Sequence, residues 1–127
     1  MVELTGKDFE LFKKEAQYWI DAFGLKDWRI YYAFERIEDA YATCSYHWHG
    51  KIATLTLDKW PSETRTDEEI RRSAFHEVCE LLLVEMRQFA LDEVIPHEER
   101  KGLTDSATHG VIRRLENSVF KMWYDIR

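Results

Sequence analysis

Apolar residues recur at helical spacing from the start of the chain. Phe9, Phe12, Ala16, Trp19, Ile20 and Phe23 fall on one face of an α-helix, and Gly24 stops the run. Thr5 followed three residues later by Asp8 resembles a capping box, so the spacing predicts a first amphipathic helix over about 6–23. The pattern then changes period. WRIYYAF (28–34) is rich in aromatic and β-branched residues, and two further runs, YATCSYHW and KIATLTL, flank His49-Gly50, which together read as one strand followed by a hairpin. The stretch 58–65 holds Pro61 and reads as loop, after which Thr66 and Glu69 form a second capping box opening a long helix over about 67–90. A polar connection, DEVIPHEERKG (92–102), leads to Thr104 as the cap of a last helix, whose stripe of Ile112, Leu115, Val119, Met122 and Ile126 is expected to face the core.

Helix, three strands, helix, helix is the order of an α+β domain with its helices on one face of a small, mostly antiparallel sheet. No repeat, low-complexity tract or Gly/Ser linker interrupts it, so a single domain over 1–127 is expected. With 45% hydrophobic and 14% aromatic residues, a chain of 127 residues builds a core without a disulfide or metal staple. The formal net charge of −6 argues against a nucleic-acid surface, which needs clustered Lys and Arg. Cys44 and Cys79 sit in apolar surroundings and read as buried, reduced thiols. No signal-peptide core occupies the first twenty residues, and no apolar run is long enough to span a bilayer. The expectation is a soluble, cytoplasmic protein with no membrane partner.

One stretch resists a purely structural reading. In AFHEVCELLLV (74–84), His76, Glu77 and Glu80 interrupt a run of Ala, Phe, Val, Cys and Leu. On a helix His76 and Glu80 project together, while Glu77 lies about 100° round from His76. Their neighbours cover most of the circumference, which marks a helix buried on nearly all sides. An unpaired carboxylate there costs several kcal/mol, so partners are expected. A divalent metal is one such partner. Ion pairs from Glu77 to Arg72 or Arg113, with a backbone carbonyl for His76, are the plain alternative.

HEVCELLL resembles the His-Glu-x-x-His helix of the zincin metallopeptidases, and the order of elements over about 5–124 looks like the compact SprT-like and phage-encoded minimal zincins. The resemblance implies His76 as a zinc ligand and Glu77 as the general base on metal-bound water. Glu80 stands where that pattern has its second His, and catalytic zinc accepts a His₂Glu set, so another His must complete the site. His109 on the last helix is the candidate, with Glu116 within about 20° of it on the wheel, either fixing its tautomer or serving as an alternative ligand. Tyr46, His47 and His49 on the hairpin are candidate oxyanion or substrate contacts, and His97 in its polar loop reads as solvated. Zinc is the implied cofactor, with manganese or iron as alternatives at a carboxylate-bearing site. The implied activity is hydrolysis of peptide bonds in a peptide or protein substrate.

Two other readings compete. A catalytically inactive domain on this fold would act as a protein-binding module or inhibitor, consistent with the acidic balance, the aromatics of WRIYYAF and SYHWHG, and the missing second motif His. A closed metal shell including Glu116 would be purely structural. With no Cys-x-x-Cys and no basic tail, DNA targeting is not implied.

Overall fold

Helix α1 (Gly6–Ala22) begins at the capping box read from the sequence: the Thr5 hydroxyl accepts the Asp8 N–H at 3.4 Å and the Asp8 carboxylate accepts the Thr5 N–H at 2.8 Å. The helix ends at Gly24, whose φ of +68° is a conformation that a side chain resists. Its buried residues, Phe12, Ala16 and Ile20, follow each other at one-turn intervals. These features come from a computed structural model that describes residues 2–126, apart from the side chains of Tyr124 and Ile126.

Strands β1 (Arg29–Glu35), β2 (Ala42–His47) and β3 (Ile52–Asp58) form one sheet in the order β1-β3-β2. The hairpin pairs β2 and β3 antiparallel, but β1 and β3 are parallel, so the sheet is mixed rather than mostly antiparallel. The reason is topological. The chain reverses twice between β1 and β3, once over residues 36–41 and once at the hairpin, and β3 then inserts between the other two. The 36–41 crossing is held over the end of β3 by the buried Asp58 carboxylate, which accepts the Ile37 and Trp60 N–H groups, each at 3.1 Å. Alternation along the strands puts Ile30, Tyr32 and Phe34, then Ala53, Leu55 and Leu57, then Ala42 and Cys44 on the core side.

Helix α2 (Asp67–Leu82) starts at the second capping box, Thr66 with Glu69, and packs Ile70, Ala74, Val78 and Leu81 inward beside α1. The long helix expected over 67–90 is broken. Leu83 (φ −92°, ψ −2°) ends α2, and α3 (Val84–Leu91) follows at once. Helix α4 (His97–Leu115) begins directly after Pro96, so the polar connection is only 92–96, and Thr104 lies inside the helix instead of capping it. A π-helical turn over Glu116–Phe120 joins α4 to α5 (Lys121–Ile126).

The orientation of α4 is the largest correction to the sequence pattern. The helix packs against α3 through Ala107 and Val111, with Ser118 of the π turn buried on the same side. Ile112 lies about 100° round from Val111. The expected core stripe therefore faces outward, with Ile112, Leu115 and Val119 exposed by 45%, 38% and 42%. Met122 is half-buried with its sulfur 3.7 Å from the Tyr18 hydroxyl, and the Ile126 side chain is outside the described residues. The hydroxyls on the inner side are satisfied by the helix itself: Thr108 Oγ1 donates to the Thr104 carbonyl at 2.7 Å and Ser118 Oγ to the Arg114 carbonyl at 2.6 Å.

Candidate functional site

The helical periodicity of α2 places His76 and Glu80 together, as the sequence requires. His76 Nε2 lies 3.6 Å from Glu80 Oε1, but its side chain is 69% exposed, and the other Glu80 oxygen meets Arg87 Nη1 of α3 at 3.1 Å. The carboxylate thus has a guanidinium as its counter-charge. Arg72, the partner considered for Glu77, instead reaches Glu68 at 3.7 Å.

Glu77 is different. It is 7% exposed, and burial pushes its carboxyl above the ordinary value of 4.5; the neighbouring His76 opposes the rise and the Glu80 charge adds to it. The same environment acts on Cys44, pushed up to about 12 by burial and then by Glu77 and Glu80, against Arg87. Cys79 is raised by burial and by Glu80, and both cysteines are free thiols.

Glu77 borders a cavity of about 450 Å³ between α2 and the segment Ala40–Ala42. Tyr46, His47 and His49 do not line it. They belong to the other end of the hairpin, His47 being roughly 17 Å along β2 from Ala42. There the hairpin packs on α3 through Trp48 and Phe89, ring centroids 5.8 Å apart. His109 is exposed on α4, which packs on α3, and Glu116 opens the π turn next to Ile112.

Among the described residues, no group of three or more His, Cys, Asp and Glu is placed to hold a metal ion. No family model, curated protein or solved structure matches the chain.

The resemblance to SprT-like and phage-type zincins is therefore overturned. Three motif positions on one helix, His76, Glu77 and Glu80, share spacing with that family, but among the described residues no third ligand joins His76 and Glu80 to make a centre. Zinc, manganese and iron fall as cofactors, and with them the metallopeptidase reading in which Glu77 activates metal-bound water. A structural metal closed by Glu116 falls for the same reason. What stands is the α+β class, together with the absence, among the described residues, of any helix long and apolar enough to cross a membrane.

Two features escaped the sequence reading. The first is Arg65, assigned there to a featureless loop. Its guanidinium carbon lies 3.7 Å from the Tyr41 ring centroid, and Nη2 donates to the Glu69 carbonyl at 3.0 Å and to Ser73 Oγ at 2.8 Å. Nothing in the local pattern marks it, because its partners come from the 36–41 crossing and from two turns of α2. The second is the outward stripe of α4. Its residues were visible in the sequence but assigned to the core. With Glu116 and Phe120, they line a groove of about 330 Å³.

Proposed function

We propose that the domain is a protein-binding module, and that its docking face is the outer stripe of α4 and the π turn. A single observation carries this reading: Ile112, Leu115 and Val119 repeat at helical spacing yet lie in the surface, lining an almost wholly apolar groove. Exposed apolar residues scattered singly are ordinary, whereas a contiguous exposed stripe is a feature of interaction surfaces. Covering such a side chain fully is worth about 1.5–3 kcal/mol.

The complementary shape is another helix. A ridge of side chains three and four residues apart seats between the ridges of a partner helix that presents its own apolar face. Neither a metal nor a general base is needed.

The test is selection of helical peptides from a display library on the intact domain, with counter-selection on the double variant Ile112→Asp, Val119→Asp. Amphipathic peptides should be enriched, and their affinity for the variant should fall by about tenfold or more, or about 1.4 kcal/mol. Its melting temperature should be unchanged. Binders indifferent to the two substitutions would end this reading, as would a variant that loses several degrees of stability, since the stripe would then be internal packing.

A further inference from the structure

The Arg65 side chain is only 7% exposed, which makes it the most deeply enclosed ion-pairing side chain among the described residues. A buried guanidinium is normally retained only with its donors matched, since each unpaired donor loses its hydration without replacement. Here Nη2 is satisfied by the Glu69 carbonyl and Ser73, but Nε and Nη1 are closed off from solvent and have no hydrogen-bond partner.

Three carboxyls line the same cavity, and none is a hydrogen-bond acceptor for Nε or Nη1. The Glu63 carboxylate accepts the Tyr41 hydroxyl at 2.7 Å. Glu69 is held by its capping box, accepting the Thr66 N–H at 3.0 Å, and its other oxygen stays 4.0 Å from Arg65 Nε, beyond hydrogen-bond reach. Glu77 is drawn toward its neutral form by burial. The cation thus lies at the wall of the 450 Å³ cavity at ion-pair distance from Glu69 but with Nε and Nη1 left without an acceptor, and two further groups on the same wall, Arg72 and His76, are basic.

We propose that this cavity binds a small-molecule ligand through an oxyanion group, a carboxylate or a phosphate, seated on the Arg65 guanidinium. Planar guanidinium donors match such oxygens, and the volume suits a small metabolite-sized ligand. Tyr41 stacks on one face of the guanidinium, so the oxyanion meets it in its plane, once the side chains that cover Nε and Nη1 have moved aside. The side chains at the rim that can give way, Tyr41, Glu63 and Arg72, are all exposed. The site is separate from the α4 stripe and does not rest on it.

Amide shifts of the 127-residue chain, titrated with sodium acetate and separately with sodium phosphate at constant ionic strength, test the proposal. At least one anion should give saturable shifts confined to residues 40–42 and 73–77, and the one that saturates at lower concentration identifies the ligand class. Arg65→Gln should weaken binding by about tenfold or more. Arg72→Gln, at a side chain 79% exposed and dispensable for folding, should weaken it about threefold to fivefold. The Ile112→Asp, Val119→Asp variant should titrate like the unsubstituted protein, which separates failure here from failure of the docking face. If Arg65→Gln does not fold, the unsubstituted protein and Arg72→Gln decide alone. Shifts that follow only ionic strength, that saturate elsewhere in the molecule, or that are unchanged in Arg72→Gln would overturn the site.

Discussion

A carboxyl withdrawn from water with no donor to stabilise its charge favours the protonated form, and Glu77 is such a group. Because its folded-state pKa lies above its value in the unfolded chain, its contribution to stability is complete at low pH. That contribution is lost as pH rises through the folded-state value. Glu77→Gln keeps the shape and removes the charge. The variant should match the unsubstituted protein near about pH 4 and exceed it in denaturant midpoint near about pH 7. A difference that stays flat with pH would mean that Glu77 is not held out of water. Glu80, four residues from His76, makes the contrast. The i, i+4 neighbourhood was legible from spacing because it is local to one helix, whereas Arg87, which neutralises Glu80, was not, since it belongs to another element.

Both capping boxes were readable because each is closed by residues three apart, whatever the rest of the chain does. Thr66→Ala removes the acceptor for the Glu69 N–H and should cost about 1 kcal/mol, lowering the melting temperature by about 3–5 °C. Thermal denaturation followed by circular dichroism checks this. The break at Leu83 carried no such signal, since no Gly or Pro interrupts 76–91 and an unbroken apolar pattern gives no cause to stop a helix. The start of α4 did carry one. Pro96 stands where a helix readily begins, its fixed φ already helical and its missing N–H not needed there. Gly102 and Thr104 offered a competing stop and cap, but in the folded chain both lie within the helix.

For the whole molecule, the consequential choice is which side of α4 lies against α3. Val111 is buried and Ile112, its neighbour, is exposed. Val111→Ala should therefore destabilise by about 1–3 kcal/mol, while Ile112→Ala stays within about 0.5 kcal/mol, as read from urea unfolding. The stripe pattern alone predicts the opposite order. Amphipathic periodicity states that a helix has two faces, and it assigns the more apolar one inward only when the core is the sole thing to be covered. Taken by itself, the sequence determined what depends on neighbours along the chain: the α+β composition, the first helix, the hairpin, both caps and the contact between His76 and Glu80. Tertiary structure alone decided the insertion of β3 beside a parallel β1, the outward turn of the α4 stripe, and the enclosure of Arg65. Each of these depends on contacts between elements distant in sequence, whose energies no local pattern of residues encodes.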